Sequence, residues 1–182
     1  MYFCVVEPIF TDAYFMKLAL AEAARAFEKG EVPVGALVVA NDRIIARGHN
    51  LTEQLTDVTA HAEMQAITAA AHHLGGKYLH DCTLYVTLEP CLMCAGALYW
   101  SQISKVVYGA SDPKRGGISA FAKKGSDDPS GKATQHPSGK VTDFSSKHTA
   151  HASPLHPKTQ LIGGVMAAEA TQLLQDFFAK KR

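Results

Sequence analysis

Apolar residues recur at helical spacing from Asp12 to Lys29, where Met16, Ala19, Leu20, Ala23 and Phe27 fall at i, i+3, i+4, i+7 and i+11 and Gly30 follows as a stop. This spacing predicts an amphipathic helix. Short apolar runs then take over: Gly35 to Ala40 and Ile44 to Ala46, joined by Asn41-Asp42, read as a β-hairpin. A second helical pattern, Met64, Ile67, Ala71 and Leu74, begins just after His61. Thr83 to Leu88 and Lys105 to Ala110 read as strands, each following a helical stretch. A hairpin followed by alternating helices and strands predicts an α/β fold, with a single mixed sheet covered by helices on both faces.

The pattern breaks at about 122–153. That stretch is rich in Gly, Ser, Lys, His and Pro and poor in large apolar residues, so it cannot bury enough surface to offset its ordering entropy. It is expected to be a mobile insertion within a single domain spanning 1–182. It contains an echo, Pro129-Ser130-Gly131-Lys132-Ala133-Thr134 and Pro137-Ser138-Gly139-Lys140-Val141-Thr142. Neither copy is a phosphate-binding loop, because no Ser or Thr directly follows the lysine and no strand precedes it. His136, His148, His151 and His156 lack a defined element to space them, and read as solvated.

Composition places the chain among ordinary globular proteins. Its 182 residues, 47% hydrophobic and 19% charged, suffice for one core without covalent staples. Four cysteines are too few for a disulfide framework once two are assigned elsewhere, which favours a reducing cytoplasm. The apolar start, Met1 to Pro8, has no basic n-region, and no run of about 18 apolar residues follows, so neither a signal peptide nor a membrane span is expected. Net charge is only +1, but its distribution is uneven. Residues 1–104 carry 6 Lys and Arg against 11 Asp and Glu, whereas 105–182 carry 12 against 6. The basic second half, with Lys114-Arg115, Lys123-Lys124, Lys158 and Lys180-Lys181-Arg182, has the charge to contact phosphates.

The chemistry is concentrated in His61-Ala62-Glu63 and Pro90-Cys91-Leu92-Met93-Cys94. Cys91 and Cys94 stand three apart, so on a helix starting near Pro90 both sulfurs share one face. The helix start favours thiolate over thiol, and proline is tolerated there because its missing N–H has no partner to lose. His61 sits at the start of the other helical run. Three ligands, His61, Cys91 and Cys94, would hold one Zn2+ and leave a fourth position for water, the pattern of catalytic rather than structural zinc. Glu63 is the candidate proton carrier. A redox C-x-x-C or a zinc-binding scaffold subunit would have no use for that carboxylate.

With these motifs in place, the chain resembles the zinc-dependent nucleobase deaminases of the cytidine/deoxycytidylate deaminase superfamily, and among them the bacterial tRNA-specific adenosine deaminases. The resemblance includes Glu31-Val32-Pro33-Val34-Gly35-Ala36, Gly48-His49-Asn50, Thr59 to Glu63, Leu84 to Glu89, Val107-Tyr108-Gly109-Ala110 with Asp112-Pro113-Lys114, His156-Pro157-Lys158-Thr159 and Asp176-Phe177-Phe178. It implies a three-layer cytidine-deaminase-like fold with about five strands in a mixed sheet. The fifth strand would fall near Gln160 to Ile162, and a last helix, from Val165 to Ala179, would dock through Leu173, Leu174 and Phe177. It implies one Zn2+ per subunit and hydrolytic conversion of the wobble adenosine to inosine, with Glu63 moving protons between water and base. Asn50, the backbone at Ala62 and the wall at Val34 would hold the base. Phe177, Phe178, Lys180, Lys181 and Arg182 are candidate RNA contacts. The implied partners are a tRNA anticodon stem-loop and a second copy of the chain; the apolar helix from Cys94 to Trp100 suits either that dimer contact or the core. A guanine, cytosine or nucleotide deaminase would use the same zinc chemistry, since pocket shape selects the base.

Overall fold

A computed structural model describes residues 9–118 and 154–181, so the 122–153 stretch lies outside the described residues, as does Arg182. The first helix, α1 (Asp12–Glu28), is opened by Thr11, whose hydroxyl accepts from the Tyr14 N–H at 3.1 Å, with Asp12 favourably placed at the positive end. Its buried face is Phe15, Met16, Ala19, Glu22, Ala23 and Ala26. This is rotated slightly from the periodicity, which placed Leu20 and Phe27 in the core; both are only half-buried. The rotation buries Glu22, and the guanidinium groups of Arg25 and Arg47 compensate its charge at 3.0 and 3.3 Å.

The hairpin forms as expected, from β1 (Gly35–Ala40) and β2 (Arg43–His49). Asn41 and Asp42 both take left-handed backbone, at φ 49° and 58°, the twist a two-residue hairpin loop needs. β2 extends past the expected Ala46 because it stays paired up to Gly35 opposite His49. The next elements are α2 (Ala62–Leu74), β3 (Cys82–Leu88), α3 (Leu92–Ser101), β4 (Lys105–Ala110), β5 (Gln160–Ile162) and α4 (Ala167–Lys180). Strand order is β2-β1-β3-β4-β5, with β1 antiparallel to both neighbours and β3, β4 and β5 parallel. No described helix is long and apolar enough to cross a membrane.

Side-chain alternation divides the core into two layers. Ala36 and Val38 of β1, Leu84 and Val86 of β3 and Val106 of β4 face Ala62, Ala66 and Ala70 of α2 and Ala95 and Leu98 of α3. Leu37, Val39, Tyr85 and Val107 face the other way, onto Phe15, Met16 and Ala19 of α1. α4 packs on β4 on that second face, where its Ala170 side chain lies 3.2 Å from the site a Cβ on Gly109 would occupy. Each fully buried leucine, such as Leu37, Leu84 or Leu98, contributes about 1.5–3 kcal/mol over exposure.

Small residues set how closely the layers approach. A Cβ on Gly48 would overlap the Ala62 carbonyl and sit 2.8 Å from the Ala66 nitrogen, so glycine lets the first turn of α2 lie directly on β2. The arrangement brings four strand ends to one edge of the sheet: Val34 before β1, Asn50 after β2, Glu89 after β3 and Asp112 after β4. Functional residues gather there, outside the carboxyl ends of the parallel strands.

Candidate metal centre and active site

His61 and Cys91 are the residues that cap α2 and α3, each in extended backbone just outside the first turn, and Cys94 lies in the first turn of α3. The Nδ1 of His61 is 3.7 Å from the Cys91 sulfur and 3.6 Å from the Cys94 sulfur, and the three atoms lie within 4.8 Å of one another. Zinc bonds of about 2.3 Å to sulfur and 2.0–2.1 Å to nitrogen at tetrahedral angles put nitrogen and sulfur about 3.6 Å apart. The donor set therefore fits a zinc ion without rearrangement, and it has the three-ligand form that leaves a coordination position for substrate chemistry. A hydrogen bond from Cys94, opposed by burial and aided by His61, holds the Cys91 thiol down at about 4, already thiolate. Cys94 is held up because it donates to Cys91 and is buried.

Glu63 follows two residues after His61 and is 4% exposed. Burial pushes its carboxyl up to about 7, with its own backbone N–H, the His61 imidazole and the Cys94 thiol opposing that rise. It reaches the cysteine side of the cradle without being one of the three clustered ligands.

The expected base-holding residues lie together as well. Asn50 is 7% exposed, and its backbone N–H donates to the Val34 carbonyl at 3.1 Å. Its side-chain oxygen accepts from the Ala62 N–H at 3.0 Å. This fixes the amide's orientation and turns the NH2 end away as a donor. The Ala62 N–H is thereby engaged by Asn50. Val34 is buried at the start of β1.

Two buried carboxylates escaped the sequence analysis as site elements. Glu31, fully buried, accepts from the Thr52 hydroxyl at 3.1 Å, the Glu53 N–H at 3.0 Å and the Gln54 N–H at 2.8 Å. Burial raises its carboxyl, but these donors prevail and hold it below the ordinary carboxylate value. Glu89 accepts from the Asp112 N–H at 3.1 Å, while the Gly117 N–H donates to the Pro90 carbonyl at 2.8 Å and Gly116 bridges Cys91. It thus ties residues 112–117 to the start of α3. Glutamates inside a motif carry no visible mark that their partners are backbone amides.

The C-terminal candidates separate. Phe177 is 3% exposed and packs edge-on against Phe27 at 5.6 Å, so it belongs to the core and offers no face to a base. This is the docking position expected of Phe177, and it leaves the ring little surface for stacking. Phe178 is 50% exposed and rests against Phe177 at 5.4 Å. Lys180 lies over the Phe27 ring and Lys181 over the Phe177 ring, both at the exposed helix end.

Three donors that fit one zinc ion, with a coordination position left open and a buried carboxylate beside them, meet the requirements of hydrolysis by zinc-activated water. Residues 10–110 match the family described as the cytidine and deoxycytidylate deaminase zinc-binding region, and the chain belongs to that family. It is 39% identical to the tRNA-specific adenosine deaminase of Agrobacterium fabrum over 93% of this chain and 95% of that one. With the tRNA-specific adenosine deaminase of Aquifex aeolicus it shares 59% identity over 105 residues, 58% of this chain and 70% of the relative. A solved structure from work on A-to-I editing by tRNA:A34 deaminases at the wobble position of transfer RNA superposes with a TM-score of 0.66 at 39% identity, covering 88% of this chain and 98% of its own. The guanine deaminase of Bacillus subtilis superposes with a TM-score of 0.53 at 37% identity, over 70% of this chain and 83% of its own.

Proposed function

We propose that the chain hydrolytically deaminates the wobble adenosine of a tRNA anticodon to inosine. The observation that carries this is the buried Glu63 beside the three-ligand cradle, in a chain alike over nearly its whole length to a tRNA-specific adenosine deaminase. His61, Cys91 and Cys94 would hold a zinc ion, which would activate water by lowering its pKa toward about 7. Glu63 takes the proton of the attacking water and delivers protons to ring N1 and then to the departing amino group. The C6–N bond breaks, ammonia leaves, and the water oxygen becomes the 6-oxo group. Asn50, fixed by Ala62, presents its NH2 as a donor to a ring-nitrogen acceptor, and Val34 forms an apolar wall.

Outside the pocket, the exposed ring of Phe178 and the charges of Lys180 and Lys181, extended by Arg182, are the proposed contacts to the anticodon stem-loop. A homodimer is part of the reading. Leu92, Gly96 and Trp100 stand four apart on α3, and Leu92 and Trp100 are 57% and 77% exposed, an apolar stripe suited to a second copy. A thiolate-ligated zinc fits a reducing cytoplasm.

Ammonia release from a tRNA transcript bearing adenosine at the wobble position, run beside free adenosine, cytidine, cytosine and guanine, tests the proposal. Turnover of the transcript far above the free compounds is expected. Efficient turnover of free guanine with an inert transcript would replace the substrate and leave the zinc deaminase chemistry intact.

A further inference from the structure

The chain from Asn50 to His61 leaves the end of β2 and leads into the start of α2. Its neck is closed by the Leu51 N–H donating to the Ala60 carbonyl at 3.0 Å, and its two ends carry a base-holding residue and a metal ligand. Within it, the Leu55 N–H bonds the Leu51 carbonyl and the Asp57 N–H the Thr52 carbonyl, while Asp57 accepts from both the N–H and hydroxyl of Thr59. Leu55 and Val58 are 54% and 84% exposed, so the tip of the loop has no apolar anchor, while Ala60 is buried at its foot. Its fixed attachment is to Glu31. That carboxylate engages three consecutive residues, one oxygen taking the Gln54 N–H and both sharing the Glu53 N–H, while the second oxygen takes the Thr52 hydroxyl.

We propose that Glu31 is a positioning residue for deamination: its buried carboxylate holds the 51–60 loop so that Asn50 and His61, at the loop's two ends, keep the separation that base and metal require. Glu31 is itself anchored by its N–H to the Ala26 carbonyl at 3.0 Å, at the end of α1, three residues before Val34. A carboxylate suits the site because the two backbone N–H groups facing it can only donate and the Glu53 N–H is shared by both oxygens. An amide there would set its own NH2 against the Glu53 N–H and force the Thr52 hydroxyl to turn from donor to acceptor. Glu31 touches neither substrate nor metal, and its effect passes through the loop.

The test is Glu31→Gln in the full chain, read three ways. Amide hydrogen exchange at 52–60 should quicken about tenfold or more while β1 and β3 stay protected. The visible absorption bands of the cobalt-substituted protein should shift, because His61 is displaced. At one metal per chain, kcat should fall about 10–100-fold, with a smaller change in KM. Unchanged loop exchange would overturn the proposal, as would faster exchange with unaltered cobalt bands, kcat and KM. Should Glu31→Gln fail to fold, Thr52→Val removes one of the donors and should shift exchange and bands in the same direction by less; no shift would count against the proposal equally. The kinetic arm rests on the proposed reaction. If wild-type protein leaves tRNA untouched, that reading fails, while exchange and cobalt spectra still decide the role of Glu31.

Discussion

Glu31 and Glu63 are buried carboxylates at the same edge of one sheet, 0% and 4% exposed, yet their surroundings drive them in opposite directions. Burial raises both. At Glu31 two backbone N–H groups and a hydroxyl overcome it and lock the carboxylate as an anion. At Glu63 burial prevails, and the carboxyl is pushed up to about 7. Burial alone therefore does not tell framework from chemistry. The balance of donors against burial does: at Glu31 the backbone N–H groups and hydroxyl outweigh burial, whereas at Glu63 its own N–H and the Cys94 thiol do not, and a carboxyl at about 7 can exchange protons during turnover.

The largest expected effect lies at the cradle formed by His61, Cys91 and Cys94. Cys94→Ser should lose zinc, thermal stability and deamination together, because metal binding contributes directly to folding. Metal analysis and a melting curve check this, and a variant that keeps its zinc and melting temperature would remove Cys94 from the ligand set.

Glu31→Gln should cost about 1–3 kcal/mol in denaturant unfolding, the cost of buried donors left without an acceptor. Its acid dependence follows from the direction of the shift. The folded carboxyl lies below its ordinary 4.5, so its stabilisation is complete above that value and is lost as pH falls through the lowered one. Stability measured from pH 7 downward should show a fall below pH 4.5 in wild type that is reduced in Glu31→Gln. Parallel curves would mean that Glu31 is not the locked anion described.

Gly48→Ala probes the same site from the sheet side. The added methyl meets the Ala62 carbonyl and the Ala66 nitrogen, so α2 must shift, at about 1–3 kcal/mol, and carry His61 with it. Zinc should bind more weakly in a chelator competition. Smallest is the pair Lys180→Ala and Lys181→Ala, which should leave zinc and melting temperature unchanged. The salt dependence of tRNA binding should become shallower by up to about one unit per lost phosphate contact.

Much of this was legible in the sequence because periodicity and metal spacing are local signals. The Asn41-Asp42 hairpin and the convergence of His61, Cys91 and Cys94 stand where expected, and the strand from Gln160 to Ile162 stands where the family resemblance puts it. What stayed hidden depends on partners distant in the chain. The stripe of α1 turned to bury Glu22 because Arg47, on another element, could neutralise it. Phe177 is expected both to dock the last helix and to meet RNA, and only the place of Phe27, distant in the chain, decides for docking. Glu31 and Glu89 bind backbone N–H groups, which leave no trace in residue type.

The most direct measurement compares zinc-matched wild-type and Glu63→Gln protein for inosine formed at the wobble position of a tRNA transcript. Positioned general acid–base catalysis is worth about 10²–10⁴-fold. Glu63→Gln should hold about one zinc per chain, as a residue outside the ligand set would, and form inosine slower by at least that factor. A variant that loses its zinc, or that keeps its zinc and still forms inosine at the wild-type rate, would contradict the division between Glu63 as proton carrier and His61, Cys91 and Cys94 as ligands.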